Sequence, residues 1–471
     1  MYALERAATA PLFQQLTQLL RRDIDSALLA PGSRLPSVRQ MAADCAVSTI
    51  TVVNAYNQLV ADGYLQARPA SGYYVCAPSR QVAAPARATM AQAQVDSRWL
   101  LSHLFADESS MLLPGCGWFP EDWLEGEQLR DALGTLARKN ANSLVRYGNP
   151  YGYLPLRQAL QQALHARAIE VDTDQIILTQ GATQALNLCA RLFLEPGDTV
   201  LVDDPMYANL LAMLRTQGYK TIGVPRTASG PDPAALEALA ALHRPKLFFT
   251  NTNLQNPTGT STTLATAHRI LRAAETYDFH IIEDDIFADL QSERSVSLAA
   301  LDQLERVSYI GSLTKSISPS LRVGFLVCKR ELAREFAQRK MLEGLTSSEL
   351  SEKLAAIILG KGRQRHSIER LRGRCMQAQH TVGARLEQCG MELFHRPAGG
   401  MFLWARFSAG IDTNEVTLRA AERDIVLAPG RLFSSAEGAG AWMRVNVAHA
   451  DKPAFYRFIE EVAKGGAAAR G

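Results

Sequence analysis

Residues 310–324 read Ile310-Gly311-Ser312-Leu313-Thr314-Lys315-Ser316-Ile317-Ser318-Pro319-Ser320-Leu321-Arg322-Val323-Gly324. A Ser-x-x-Lys of this kind occurs in serine acyl-enzymes. That chemistry also requires Ser-Asp-Asn and Lys-Thr-Gly elements, and the sequence contains neither. A lysine beside a small hydroxyl residue and followed by an arginine suits instead an aldehyde cofactor that carries a phosphate. The lysine amine forms the imine, while the hydroxyl and the guanidinium bind the dianion.

Working outward, the sequence supplies the rest of such a site. Thr179-Gln180-Gly181-Ala182-Thr183 follows an apolar strand and opens a helix, where small residues let backbone N–H groups and the positive helix end approach a phosphate. Asn253-Leu254-Gln255-Asn256-Pro257-Thr258-Gly259 ends a second strand in a turn. Ile281-Ile282-Glu283-Asp284-Asp285 ends a third with carboxylates at its carboxyl edge, where open α/β sheets bind ligands. Further apolar runs at Ile176–Leu178, Val200–Val202, Leu247–Phe249 and Val323–Val327 alternate with amphipathic helices. That alternation predicts a mostly parallel sheet with helices on both faces.

Together these stretches resemble the fold-type I, aminotransferase-like family of pyridoxal-phosphate proteins, over about residues 98–465. The resemblance implies an α/β body with a smaller C-terminal α+β subdomain and pyridoxal 5'-phosphate (PLP) as cofactor. It implies that Lys315 holds the cofactor as an imine, Asp284 pairs with the ring nitrogen and Asn256 bonds the ring oxygen. Tyr207, in Asp204-Pro205-Met206-Tyr207, stacks on the ring, and Ala182, Thr183, Ser312 and Arg322 hold the phosphate. Tyr147, in Tyr147-Gly148-Asn149-Pro150-Tyr151-Gly152, reaches the phosphate of a neighbouring subunit. Arg444, in Trp442-Met443-Arg444-Val445-Asn446, takes a ligand carboxylate. One departure bears on activity. The family usually places a tyrosine just past the aspartate, and Phe287 (or Ile286, after a one-residue slip) stands there without a hydroxyl. A site lacking it is expected to form imines and to transaminate poorly.

The first 77 residues have a different texture. Leu12, Leu16, Leu19, Leu20, Ile24, Ala27 and Leu28 fall on one helical face, and Pro31-Gly32 breaks the run. Ser37 is an N-cap for a second helix, with Gln40 placed to complete a capping box, and Ser48 caps a third helix that runs to Ala61 before Asp62-Gly63. Tyr64–Arg68, Pro69–Gly72 and Tyr73–Val75 read as strand, turn and strand. Two short helices in tandem followed by a hairpin set a recognition helix in a major groove.

The runs PGSRLPSVRQMA (31–42), VSTITVVNAYNQLVADGYL (47–65) and RPASGYYV (68–75) resemble the GntR-type winged helix-turn-helix. The resemblance implies DNA contacts by Arg34, Ser37, Arg39, Ser48, Thr49 and Thr51, with Arg68 and Gly72 in the wing. Arginine suits the work because its fork pairs with phosphate or guanine. Many members carry arginine where Thr49 stands and a basic residue near Val53. Here Arg6, Arg21, Arg22, Arg34, Arg39 and Arg68 barely outnumber Glu5, Asp23, Asp25, Asp44 and Asp62, so useful affinity calls for two heads on one duplex.

Length and composition agree with a chain of several parts. At 471 residues it exceeds one core, and its formal charge of +3 neither demands nucleic acid nor excludes it. The expected division is a head (1–77), an Ala-, Gln- and Pro-rich linker (78–97) and the body (98–471). Seven dispersed cysteines without a Cys-x-x-Cys pair fit reduced thiols, and no histidine spacing suggests a metal. Neither a signal peptide nor a membrane span is visible, which points to the cytoplasm. The basic run Lys361, Arg363, Arg365, Arg370, Arg372 and Arg374 reads best as a solvated helix face.

A GntR-type head before an aminotransferase-like body is the arrangement of the MocR subgroup of bacterial regulators, which this chain resembles over nearly its whole length. The resemblance implies a domain-swapped, head-to-tail homodimer that binds double-stranded promoter DNA and senses PLP or a small amine or amino acid. Two other readings stand beside it: a working aminotransferase with a vestigial head, and a DNA-binding protein whose body only dimerises.

Overall fold

A computed structural model describes every residue except 1–3, 5–10, 26–27, 69–71, 77–94, 107–110, 139–144, 146, 292–295, 361, 363, 408–409, 435, 437 and 469–471. Glu5, Arg6, Ala27, the wing turn 69–71, most of the expected linker, Lys361 and Arg363 therefore lie outside the described residues. The chain divides into two compact units, Met1–Ala93 and Gln94–Gly471.

In the first unit, helices α1 (Leu12–Asp25), α2 (Val38–Asp44) and α3 (Thr49–Ala61) precede a hairpin of β1 (Leu65–Arg68) and β2 (Gly72–Val75). Leu16, Leu20, Leu35, Met41, Val52, Tyr56, Leu59, Leu65 and Val75 form one core. The Tyr56 hydroxyl donates to the Pro36 carbonyl at 3.0 Å and so pins α3 under the start of α2. Ser37 Oγ accepts from Gln40 N, and Ser48 Oγ accepts from Thr51 N at 3.1 Å, each satisfying an otherwise orphaned helix N–H. Two expectations are corrected. Gln40 does not close a capping box, because its amide reaches Asp44 Oδ1 at 2.8 Å, one turn on. Leu28 is not on the buried face: α1 ends at Asp25, Leu29 N closes back on the Asp23 carbonyl, and Leu28 is 78% exposed.

In the second unit, Asp96 Oδ1 accepts from Trp99 N at 2.8 Å and caps a helix over Ser97–Leu104. The first helix of the body thus begins at the last residue of the expected linker. Its large sheet contains β3 (Ile176–Gln180), β4 (Thr199–Asp204), β5 (Lys220–Thr227), β6 (Gly230–Pro231), β7 (Leu247–Asn251), β8 (His280–Asp284), β9 (Val307–Ser312) and β10 (Val323–Val327). The spatial order is β3-β10-β9-β8-β7-β4-β5-β6. Neighbours from β9 through β5 run parallel, whereas β10 opposes both β3 and β9, and β6 opposes β5. Leu201, Phe248 and Ile281 pack into one layer of helices, and Val202, Phe249 and Ile282 into the other. Burial of alternate residues on both faces is what makes these strands read as continuous apolar runs.

A second, antiparallel sheet of β11 (Met391–Leu393), β12 (Phe402–Phe407), β13 (Ala428–Pro429) and β14 (Trp442–Asn446) has the order β11-β12-β14-β13. It packs on the helices Gln364–Gln388, Thr413–Ala421 and Pro453–Ala468 as the smaller α+β subdomain. The described arginines of the basic run are engaged there. Arg365, Arg370 and Arg374 pair with Glu369, Glu125 and Asp122, and Arg372 donates to the Asp289 carbonyl. Among the described residues no helix is long and apolar enough to cross a membrane.

Replacing Ser48 by Ala removes the cap of α3, at a cost of about 1 kcal/mol. Hydrogen exchange of the amides of α3 should accelerate roughly five-fold while amides of the large sheet keep their rates. Unchanged exchange in α3 would show that the cap is not holding the helix start.

Candidate functional site

The carboxyl ends of β7, β8 and β9 open onto a cavity of about 1260 Å³, which Lys315, Asp284, Asn256, Tyr207, Arg322 and Arg444 all line. The turn after β9 carries Lys315, whose ammonium donates to the Gly117 carbonyl at 2.5 Å. Burial, helped by Arg444 and Arg322, lowers its pKa to about 8 against the opposing pull of Cys116 and Asp284. A neutral, nucleophilic amine is therefore accessible near physiological pH.

Asp284, the last residue of β8, stands opposite Asn251, the last of β7. Burial pushes its carboxyl up to about 7, with Asp285 and Asp203 adding and Lys315 opposing. No ion-pair partner approaches it among the described residues. Asn256 donates its backbone N–H to Asn251 Oδ1 at 2.9 Å, and its own Oδ1 accepts from Arg444 Nη1 at 2.9 Å. Tyr207 immediately precedes the helix Ala208–Thr216, and its hydroxyl accepts from Asn209 Nδ2.

The opposite end of the cavity is a cradle of backbone and cation. The helix Gly181–Phe193 presents its first turn, with Ala182 and Thr183, beside Ser312 and Arg322. Gly324 lets β10 approach this turn. A Cβ there would lie 2.5 Å from the Gly181 carbonyl carbon and 2.6 Å from Ala182 N. At Gly181 (φ +74°) a Cβ would lie 2.7 Å from Arg322 Nη2, so the missing side chain makes room for the guanidinium. Arg322 has no carboxylate partner among the described residues. A helix N-terminus and an uncompensated arginine converging on one point fit a phosphate dianion.

Arg444 is not an ordinary surface arginine. It is 5% exposed, lies between the Phe402 and Phe433 rings at 4.6 and 4.8 Å, and donates to the Gly115 carbonyl at 2.6 Å. Its Nε is buried without a partner, and burial lowers its pKa to about 10. Such a cation calls for an anion. Phe287, 1% exposed, meets Phe402 edge-on at 5.7 Å and lines the cavity with Ile286, so no hydroxyl stands at the position of the missing tyrosine. Tyr147 is not brought to this cavity and is 83% exposed.

Sequence reasoning missed the residues that hold this set in place. Asp203 accepts from Arg226 Nη1 at 2.7 Å, Thr250 Oγ1 at 3.1 Å and Asn251 N at 2.9 Å. Asn251 in turn donates to the Asp284 carbonyl at 2.6 Å. Asn446 ties down the loop under Lys315 by donating to the carbonyls of Cys116 and Trp118 at 3.2 and 2.8 Å. The available signal was an aspartate within the buried run Val200–Asp204, since a buried charge requires a partner.

In the head, Arg34, Ser37, Arg39, Ser48, Thr49 and Arg68 are exposed, and Thr51 and Gly72 are half-buried. Ser48 and Thr51 share a hydroxyl contact of 2.8 Å, so both are partly committed to the cap. Arg68 lies over the Tyr74 ring at 4.4 Å, and Gly72 (φ +108°) leaves room for the Arg34 side chain, which a Cβ would meet at 3.3 Å. Ile50, 70% exposed at the start of α3, was not singled out in the sequence.

Two family descriptions match the chain: "Bacterial regulatory proteins, gntR family" over residues 12–75, and "Aminotransferase class I and II" over residues 119–462. The chain belongs to the MocR subgroup of GntR-type regulators. It is 30% identical to the uncharacterized HTH-type transcriptional regulator YdcR of Escherichia coli, covering 93% of this chain and 95% of that protein. It is also 30% identical to the 2-aminoadipate transaminase of Thermus thermophilus, covering 72% of this chain and 85% of the transaminase. The crystal structure of Pyrococcus horikoshii kynurenine aminotransferase in complex with PMP superposes with a TM-score of 0.73 at 25% identity, covering 83% of this chain and 99% of that one. The fold is thus that of aminotransferase class I and II proteins, preceded by a GntR-type DNA-binding head.

The raised pKa of Asp284 has a consequence for this MocR-type body. Its folded value of about 7 lies above the ordinary 3.8, so the folded state binds the extra proton and its stability falls as pH rises from about 4 to about 7. In cofactor-free protein Asp284→Asn should therefore stabilise the body at pH 8 by up to roughly 4 kcal/mol, and change little at pH 4. Urea melts at both pH values check this, and equal effects at the two would rule out an uncompensated carboxylate.

Proposed function

We propose that this chain is a PLP-dependent transcriptional regulator whose head binds promoter DNA and whose body senses PLP, or a small amine or amino acid, through Lys315. The observation that carries this reading is the meeting of Lys315, Asp284 and Arg322 with a helix N-terminus in one cavity, in a chain that also has a GntR-type head. When bound, the cofactor supplies an aldehyde that condenses with primary amines and a ring that withdraws electrons.

In this reading Lys315 is the attachment residue, Asp284 faces the ring nitrogen, Asn256 the ring oxygen, and Tyr207 the ring plane. Ala182, Thr183, Ser312 and Arg322 take the phosphate, and Arg444 takes the carboxylate of an amino-acid ligand. The protein acts as a domain-swapped, head-to-tail homodimer, and the exposed Tyr147 of each subunit serves its partner's site. In the head, Arg34, Arg39, Ser37, Ser48, Thr49 and Thr51 meet DNA, with Arg68 and Gly72 in the wing. A ligand changes DNA binding only by its differential affinity for two arrangements of the heads.

A second reading, a working aminotransferase, is favoured by the 30% identity to a transaminase. Phe287 argues against it, because no hydroxyl is available there to tune the amine.

Fluorescence anisotropy of the full-length protein on its own upstream DNA, with and without PLP and at two salt concentrations, separates these. The expected result is sequence-selective binding that Arg39→Ala abolishes and that PLP alters in the parent but not in Lys315→Ala. No selective binding in any cofactor state, together with cofactor absorbance that depends on Lys315 and turnover of a common amino acid, would transfer the assignment to the enzyme.

A further inference from the structure

We propose that the amino compound read by this site is an amino acid with a large apolar side chain, which packs against the helix Ser97–Leu104. The inference rests on the cofactor reading above, in which Lys315 and Arg444 set the two ends of the ligand's backbone. Beyond those two residues the stretch of wall beside this helix is largely apolar. Leu101, Leu104, Phe105, Met111, Trp118 and Ile286 line it. Phe105 is 73% exposed, and its ring lies 5.2 Å from that of Trp118, so an aromatic pair faces the cavity with one member uncovered.

The charges on the wall support the same class. Among the described residues lining the cavity, the cationic side chains are Lys315, Arg322 and Arg444, and each already has a role in the cofactor reading. His449 lies 3.2 Å from the Trp118 carbonyl, and burial holds it below the usual histidine range, hence neutral. Among this chain's described residues no cation is left for a second ligand carboxylate, which would instead meet Glu121, exposed at the rim, and Glu125. Glu125 is itself engaged by Arg370 and by Gln128 at 2.6 Å, so it offers little to a distal ammonium. An apolar side chain gains from this wall without leaving an ion unpaired.

The helix that carries much of this wall is anchored in the body. On the helix Ser97–Leu104, Leu100 and Leu104 pack into the body with Trp404, Val426 and Phe433. Leu101 and Phe105, the neighbouring row one turn apart, line the cavity outside that buried cluster.

Spectral titration of the PLP-loaded full-length protein with L-alanine, L-norvaline, L-leucine, L-phenylalanine, L-glutamate and L-lysine tests this. Each buried methylene is worth roughly four-fold in affinity, so the apparent Kd should fall at least ten-fold from alanine to leucine or phenylalanine. Glutamate and lysine should bind no more tightly than alanine. Phe105→Ser should reduce the gain from alanine to phenylalanine while the absorbance of the cofactor alone stays as in the parent. Tighter binding of glutamate or lysine than of leucine, no dependence on side-chain size, or an unchanged ranking in Phe105→Ser would overturn the inference. Absence of any Lys315-dependent cofactor absorbance would instead remove the cofactor reading on which it rests.

Discussion

Asp203 and Arg226 meet at 2.7 Å with almost no access to solvent, and the geometry of the cavity hangs on that pair. Burial drives the carboxyl pKa up and the guanidinium pKa down, and their mutual attraction opposes both shifts. Such a pair is worth little against an apolar substitute, but losing one partner strands a charge, at a cost of about 3–5 kcal/mol. What the pair secures here is orientation. Asp203 also takes the Asn251 N–H, and Asn251 then commits its side chain in both directions, to the Asp284 carbonyl and to the Asn256 N–H. Two residues of the proposed ring contact are thus positioned by one buried salt bridge a strand away.

Against that satisfied framework, the charges facing the cavity stand out. Glu283, Asp284 and Asp285 are consecutive, yet the strand sends alternate side chains to opposite faces. On the inner face Glu283 accepts from Thr252, Ser297 and the N–H groups of Leu298 and Ala299, and Asp285 accepts from Asn253 and Tyr309. Asp284, on the other face, accepts from the Ile286 N–H at 3.3 Å and from no side chain among the described residues. Lys315, Arg322 and Arg444 are likewise without carboxylate partners among the described residues. Two of the three acids are held by structural hydrogen bonds, and the middle one lines the cavity. The same logic recurs in the cradle, where Gly181 and Gly324 contribute by having no side chain.

Much of this was legible because it is local. Ser37 and Ser48 cap helices for a reason that spans three residues, and the apolar runs were strands because a sheet covered on both faces needs them. The misreadings were also local, and each had a competitor nearby. Gln40 found Asp44 one turn on instead of turning back to Ser37. The helix expected to carry Leu28 ended at Asp25, where Leu29 N closed on the Asp23 carbonyl ahead of Pro31-Gly32. Periodicity continues past such an end, because it does not register where backbone hydrogen bonds stop.

By itself the sequence determined the order of the two parts, the helix-turn-helix with its hairpin, the strand-and-helix body, and the identity of the lysine, aspartate and arginine that share the cavity. Those follow from side-chain patterning over a few residues and from motifs that keep their spacing. Only the tertiary structure decided that Arg444 is buried between two aromatic rings, that Asn251 and the Asp203–Arg226 pair hold the site's geometry, and that the helix Ser97–Leu104 forms its apolar wall. These contacts join residues dozens to hundreds of positions apart, and desolvation, which sets their charges, exists only once the chain has closed around them.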